Sequence, residues 1–475
     1  MKRNLVGGEW VAGDGHENRN PSDISDVVGI YAHADVQTTE AAIVAAQRAQ
    51  GDWAHATVQR RFDALDFIGS ELLRRKDELG ALLSREEGKT LPEGIAEVAR
   101  AGYIFKFHAH QAIAPQGELA SSVRPGIQVE VTREPVGVIG IIAPWNFPMA
   151  IPAWKIAPAL AHGNSVVFKP AEAVPGCAWA LAEIISRSGL PAGVFNLAMG
   201  SGTVVGQTLL NDSRVSAISF TGSATTGRNV ARAAAHRMVP VQLEMGGKNP
   251  MVVLDDADLE LAVECAIQSA FYSTGQRCTA ASRIIVTRGV YARFRDRLVD
   301  RARELRVGHA LAADTQIGPV VDARQLDQDL RYIDIGKSEG ASLACGGERL
   351  VKDTDGYFFS PAVFVDCNNR MRIAREEIFG PIAALIPAAD YEEALSIAND
   401  TPFGLSSGIC TTSLRHAKHF QRHAQAGMVM VNAPTAGVDY HVPFGGTKGS
   451  SLGGREQGTL AKDFYTKVKT TYVCA

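Results

Sequence analysis

A chain of 475 residues, 46% apolar and 21% charged, has an ordinary globular composition with room for two or three domains. Its formal net charge of -3 gives no electrostatic reason to expect nucleic acid or an anionic membrane as a partner, and no window approaches the ~18 to 20 apolar residues of a membrane span. Seven scattered cysteines without a C-x-x-C pair disfavour a disulfide framework and a structural zinc site, predict no metal, and suit a reducing cytoplasm; the N-terminus, MKRNLVGGEWVAGDG, lacks the apolar run of a secretory signal.

Taken in order, the first 20 residues read as a short hairpin, with Leu5-Val6 and Trp10-Val11 flanking Gly7-Gly8. Residues from about 38 to 115 predict long helices: Ala42, Ala45, Ala46 and Ala49 recur at helical spacing, as do Ala64, Leu65, Ile68, Leu72 and Leu73. The run Gln128 to Arg133 alternates, and Val136 to Ile142 is nearly all apolar, so a strand exposed on one face precedes a buried one. An alternating, partly exposed strand can also pair with another subunit.

Strand and helix then alternate, with strands at 164–168, 194–197 and 215–220 and helices at 178–188, 202–210 and 223–235. That pattern predicts a parallel, doubly wound sheet, which binds ligands at the carboxyl ends of its strands. Beyond Gly246-Gly247 a second α/β series begins, with strands at 250–254 and 282–286, helices at 259–272 and 291–305, and further units to about 430. The glycine pair reads as a hinge, because glycine permits unusual backbone angles. The last stretch, 464–473, alternates again and is suited to pair with the strand near 130.

Several constellations fall at the ends of these elements. Asn146, in Ala143-Pro-Trp-Asn-Phe-Pro148, is a neutral donor amid rigid apolar residues, suited to an oxyanion or simply to a turn. Lys169 and Glu172 at a strand end can clamp a ribose diol, and a glutamate there repels a 2'-phosphate; a solvated ion pair is the plainer reading. Phe220-Thr-Gly-Ser-Ala-Thr-Thr-Gly227 is a strand, a glycine turn and a helix start, where Ser223 can cap the helix and free N–H groups attract a pyrophosphate. It is not G-x-G-x-x-G. Glu244 stands between apolar neighbours, and partial burial would raise its pKa towards that of a general base. Cys278, in Ser273-Thr-Gly-Gln-Arg-Cys278, is a candidate nucleophile, or a small buried hydrophobe as most free cysteines are. Glu376-Glu-Ile-Phe-Gly-Pro381 offers a carboxylate for ribose hydroxyls and a ring for a flat heterocycle, and Pro443-Phe-Gly-Gly-Thr-Lys448 is a rigid loop that allows close backbone approach.

In this order, Pro-Trp-Asn-Phe-Pro, Lys-Pro-Ala-Glu, Phe-Thr-Gly-Ser, Glu-Met-Gly-Gly-Lys-Asn-Pro, Gly-Gln-Arg-Cys, Glu-Glu-Ile-Phe-Gly-Pro and Pro-Phe-Gly-Gly resemble the aldehyde dehydrogenase superfamily from about residue 5 to the C-terminus. The resemblance implies an α/β fold. A Rossmann-type doubly wound cofactor domain would span 1–118 and 136–246, and an α/β catalytic domain 247–445. A small β bridging element, 119–135 with 460–475, would join subunits into a homo-dimer or homo-tetramer.

By the same resemblance Cys278 is the nucleophile, Glu244 the general base and Asn146 half of the oxyanion hole, the Cys278 N–H being the other half. NAD, with NADP as the alternative, would be held by Ile142, Ala143, Trp145, Lys169, Glu172, Gly202, Gly206, Phe220, Gly222, Ser223, Gln325, Glu377 and Phe379. The aldehyde would meet Phe147, Trp154 and Phe444, and Lys155 would be a structural lysine near the site. A glutamate at 244 favours a free acid as product over a coenzyme A ester.

The stretch from Pro443 to Gly458 departs from the superfamily's commoner pattern by a second serine and one extra residue. Together with Ala436-Gly-Val-Asp439, Glu244-Met245 and Lys462-Asp-Phe-Tyr-Thr466, it is similar to the 2-oxoglutarate semialdehyde (2,5-dioxopentanoate) dehydrogenases of bacterial sugar-acid catabolism. Such a substrate carries a carboxylate and calls for a cation. Arg277, beside Cys278, is the candidate; it could instead lower the thiol pKa or make a surface ion pair. Succinate semialdehyde or an aromatic aldehyde is the alternative substrate within the superfamily. A non-catalytic structural protein, as some lens crystallins that resemble this family are, is the alternative outside it.

Overall fold

The computed structural model describes residues 1–474. Eight strands form the first sheet, in the spatial order Glu9–Val11, Asn4–Val6, Phe195–Leu197, Ser165–Lys169, Val138–Ile142, Ala217–Gly222, Val241–Met245 and Ser451–Leu452. The five strands from Phe195–Leu197 to Val241–Met245 are parallel. Their sequences are near-continuous apolar runs because both faces are covered; Val166, Val167 and Phe168 are all fully buried. Val138–Ile142 comes first in the chain, the next two strands lie on one side of it, and the last two on the other. That reversal of direction opens a crevice at the carboxyl ends of Val138–Ile142 and Ala217–Gly222.

The helices Val36–Ala54, Val58–Arg74, Lys76–Glu87 and Leu91–Ile113 build the predicted helical layer. Helix Ala150–Ala161 is buried on every side, and Lys155 is its only charged residue. The second sheet has seven strands, in the order Ser342–Cys345, Ala362–Val365, Ile382–Ala388, Arg283–Thr287, Pro250–Val253, Ser406–Cys410 and Met428–Val431. All are parallel except the first, which runs antiparallel to its neighbour.

A third, antiparallel sheet joins Thr466–Cys474 to Ile127–Pro135 and Glu118–Ser121, with Thr466 opposite Pro135 and Cys474 opposite Ile127. The alternating segments near 130 and 470 therefore pair. Phe464 and Tyr465 instead close the short helix Lys462–Tyr465 and are buried, so the strand begins at Thr466. The segment 202–210 is helical, but its first turn, Gly202–Gly206, is π-helical before Gln207–Asn211 becomes α. One hairpin, Asp14–Asn20 with Asp23–His33, has no clear sequence signal, because its first strand is polar and mostly exposed. Among the described residues no helix is long and apolar enough to cross a membrane.

Candidate active site

At the switch point of the first sheet lies a cavity of about 330 Å³, lined by Pro144, Trp145, Asn146, Thr221, Gly222, Ser223, Met245, Gly246, Cys278, Gln325, Gln328, Glu377 and Phe379. The residues come from both sheets, so the site exists only when the two are docked. Ser223 caps helix Ala224–Arg237, its hydroxyl accepting from the Thr226 N–H at 3.3 Å, and the helix opens beside the cavity. Ser201 caps the preceding helix in the same way, through the Val204 N–H at 3.2 Å. A helix N-terminus fronted by a glycine and a serine, with no acidic side chain in its first turn, suits a pyrophosphate.

Lys169 ends its strand almost buried, and burial pulls its pKa down to about 8 against the charge of Glu172. Its ammonium donates to the Pro170 carbonyl at 2.7 Å, a Cβ on Gly206 would rest against its stem, and Glu172 is exposed three residues beyond. On the opposite wall Glu377 accepts the Gly247 N–H at 3.0 Å, and burial pushes its pKa up to about 7. A Cβ on Gly246 would overlap the Glu377 carboxylate. Neither Gly246 nor Gly247 has a positive φ, so the reading of this pair as residues chosen for unusual angles is corrected: Gly246 is there for close approach. Trp145 meets Phe379 edge to face at 5.4 Å. Gln325 donates to Asp329 and to the Ile378 carbonyl, bracing the segment that carries Glu377 and Phe379. Ser223 and Glu377 in the cavity, with Lys169 and Glu172 at the neighbouring strand end, are the groups that could hold a dinucleotide.

Cys278 leaves a loop under strain. Ser273, Thr274 and Gly275 take consecutive left-handed angles, with φ of 52°, 56° and 66°. Two non-glycine residues hold such angles only where the surroundings fix them. Glu93 Oε1 does so here, accepting from Ser273 N and Ser273 Oγ at 2.9 Å and from Arg277 at 3.0 Å. Its other oxygen accepts from the Thr90 N–H and hydroxyl, at the start of helix Leu91–Ile113. Asn249 donates to the carbonyls of Cys278 and Ala280, and the Asn146 amide donates to the Gln276 carbonyl at 3.0 Å. Asn146 therefore faces the loop with its second N–H to spare.

The charges that act most strongly on the sulfur are negative. Burial first, then Glu377, Glu244 and Glu456, push the thiol up to about 12. Arg277 does not offset them, since its guanidinium is paired with Glu93 rather than turned to the thiol. Glu244 is the penultimate residue of strand Val241–Met245 and is 2% exposed. Burial and the neighbouring Glu456 carboxylate hold its pKa well above the usual range, against a hydrogen bond from Ser451 Oγ at 2.6 Å and the charges of Lys155 and Arg455. Glu456 is in turn ion-paired with Lys155. Phe147 lies under the Lys89 ammonium, and Trp154 stacks on Phe444 at 5.3 Å.

Glu93, Asn249 and Ser451 are parts of this site that motif reading passes over. Glu93, Glu97 and Arg100 fall at i, i+4 and i+7 of one helix, and a charged stripe on a helix that otherwise buries apolar residues is the signal that marks them. The second serine of the Pro443 to Gly458 stretch is Ser451, whose hydroxyl holds Glu244.

The model of the aldehyde dehydrogenase family matches residues 10–471. The alpha-ketoglutaric semialdehyde dehydrogenase of Bacillus subtilis is 46% identical over 99% of this chain and 97% of the relative. The 2,5-dioxopentanoate dehydrogenase of Saccharolobus solfataricus is 39% identical over 98% of each. A crystal structure of betaine aldehyde dehydrogenase from Staphylococcus aureus in complex with NAD+ superposes with a TM-score of 0.97 at 34% identity, covering 100% of this chain and 95% of that one. With the match spanning nearly its whole length, the chain belongs to the aldehyde dehydrogenase family.

Proposed function

We propose that this chain oxidises 2-oxoglutarate semialdehyde (2,5-dioxopentanoate) to 2-oxoglutarate with NAD, through a covalent intermediate on Cys278. The observation that carries the reading is the shared cavity: Cys278 and Asn146 lie in the same space as Glu377, Phe379 and the Ser223 helix start. The relatives named for this semialdehyde, at 46% and 39% identity over the full length, support the substrate. The NAD+ complex of the structural neighbour supports the cofactor.

In this reading the Cys278 sulfur attacks the aldehyde carbon, and its proton must leave because the thiol rests protonated. Glu244, made basic by burial, is suited to accept it. Asn146 Nδ2 and the Cys278 N–H stabilise the oxyanion, a contribution of about 3 kcal/mol for each such donor. Bound NAD supplies the hydride acceptor, and the oxidised carbon remains as a thioester on Cys278. After releasing the thiol proton to solvent, Glu244 takes a proton from the water that hydrolyses the thioester, and the proton returns to the departing Cys278 sulfur. Lys169 and Glu172 would hold the adenosine ribose, and the exposed Glu172 would repel a 2'-phosphate.

The three sheets fit the expected division into a cofactor domain at 1–118 and 136–246, a catalytic domain at 247–445 and bridging strands at 119–135 and 460–475. The exposed edge of Thr466–Cys474 suits pairing with a second copy, as a homo-dimer or homo-tetramer. Free cysteines throughout the chain suit the cytoplasm.

A panel of 2-oxoglutarate semialdehyde, succinate semialdehyde and benzaldehyde with NAD and NADP tests the reading. We expect the highest kcat/KM for the first with NAD, and no NADH formation by Cys278→Ala despite retained NAD binding. Equal or better use of succinate semialdehyde overturns the substrate, and a preference for NADP overturns the role of Glu172.

A further inference from the structure

Arg100 lies about one turn beyond Glu97 and two beyond Glu93 on helix Leu91–Ile113. Both carboxylates are engaged elsewhere. Glu93 holds the Cys278 loop and pairs with Arg277. Glu97 accepts from Lys89 at one oxygen and from the Met149 and Ala150 N–H groups at the other. Arg100 has no ion pair among the described residues. Its one hydrogen bond goes to the neutral Oε1 of Gln457 at 3.2 Å, and its Nε is buried with no partner.

Gln457 is fully buried, and with Oε1 turned to the half-buried Arg100 its Nε2 is a second buried donor without an acceptor. It holds a left-handed φ of 59°, an angle a non-glycine residue keeps only when its surroundings fix it. The guanidinium carbon lies 5.8 Å from the centroid of the Trp154 ring, whose other neighbour is Phe444. Gln457 directly follows Glu456, the carboxylate that acts on both Glu244 and Cys278. The groups whose negative charge acts on Arg100 are Glu97, the exposed Asp439 and, once its thiol ionises, Cys278, so this place is within electrostatic reach of the nucleophile.

Buried donors are nearly always satisfied. Trp154 Nε1 and Glu456 Oε2 are also buried without a close partner, but Trp154 acts on the Glu456 carboxylate as its donor. That leaves the donors of Arg100 and Gln457, so what is missing is an acceptor, and beside a permanent cation it is an anionic one. Water can fill hydrogen bonds at such a place but does not neutralise the charge. We propose that Arg100, with Gln457 Nε2 beside it, binds the carboxylate end of the substrate and so holds the aldehyde at Cys278. The cation that a semialdehyde with a carboxylate requires is then Arg100 rather than Arg277, which Glu93 neutralises. The assignment rests on the carboxylated-aldehyde reading above.

Kinetics of the full-length enzyme on 2-oxoglutarate semialdehyde, succinate semialdehyde and uncharged pentanal test it, with NAD binding and the melting temperature as controls of folding. Arg100→Met should lower kcat/KM for both carboxylated aldehydes at least about 100-fold more than for pentanal, chiefly through KM, and Arg100→Lys should recover part of the loss. An equal fall on all three aldehydes, or no fall, overturns the proposal. If Arg100→Met does not fold, Gln457→Leu is read by the same ratio, with a smaller expected change. A wild type that prefers succinate semialdehyde, with Arg100→Met selective against both acids, leaves Arg100 in place and overturns only the proposed substrate. A wild type that prefers 2-oxoglutarate semialdehyde, with an unselective Arg100→Met, overturns Arg100 alone. Pentanal used as well as either acid overturns both.

Discussion

Cys278 and Glu244 are pushed in the same direction by the same surroundings: burial and nearby carboxylates favour the protonated form of each. Ser451 works against that trend. Its hydroxyl donates to Glu244 Oε2 at 2.6 Å and accepts the Gly446 N–H at 2.7 Å, so its orientation is fixed from behind. A hydrogen bond to the ionised form lowers a carboxyl pKa, so losing it raises the pKa of Glu244 further. Fewer enzyme molecules then carry the base at neutral pH. For Ser451→Ala we expect the rising acid limb of the kcat profile to move to higher pH. At pH 7 kcat should fall about 3- to 10-fold, the loss of about one hydrogen bond, with KM little changed. The pre-steady-state burst of NADH separates the two steps that Glu244 serves: it grows relative to the steady rate where thioester hydrolysis is slowed more, and shrinks where loss of the thiol proton is. An unmoved pH profile would show that Ser451 does not tune the base.

At the scale of elements, helix Leu91–Ile113 shapes the nucleophile's loop through one carboxylate. Glu93→Ala removes every hydrogen bond that Glu93 Oε1 makes to Ser273 and Arg277. We expect it to cost about 2–4 kcal/mol in denaturant unfolding. It should also lower kcat more than 100-fold while NAD binding, followed by tryptophan fluorescence, is retained. Loss of NAD binding as well would mean that the helix supports the whole cavity. This coupling was beyond the sequence, because Glu93 and Ser273 are 180 positions apart. The parallel strands were legible, since burial on both faces leaves an unbroken apolar run. So were the positions of Ser223, Glu244 and Asn146, which sit at strand ends or helix starts where local pattern marks them. Arg277 shows the limit: adjacency to Cys278 in sequence suggests a shared site, but the left-handed loop sends its side chain to Glu93. Arg100 belongs to no motif; the charged stripe marks its place on the helix, and its role becomes visible only through what it fails to bond.

At the scale of the molecule, the three-stranded sheet ends in an exposed strand. Val468 and Tyr472 on Thr466–Cys474 are 61% and 60% exposed. A long edge strand with unpaired backbone groups and exposed apolar side chains is a template for another chain. Sedimentation of the wild type should give a dimer or tetramer. The double variant Val468→Asp with Tyr472→Asp should shift it towards monomer, since like charges placed across a shared edge repel. A monomeric wild type, or a variant that still assembles, would remove this strand from the interface.

The carboxylates around Cys278 also bear on how the enzyme survives between turnovers. Peroxide attacks the thiolate, not the thiol. With the thiol pushed up to about 12, the thiolate is scarce at pH 7. A free cysteine carries it in a few per cent of molecules. The negative charge that makes the resting sulfur a reluctant nucleophile is therefore also its protection from oxidation.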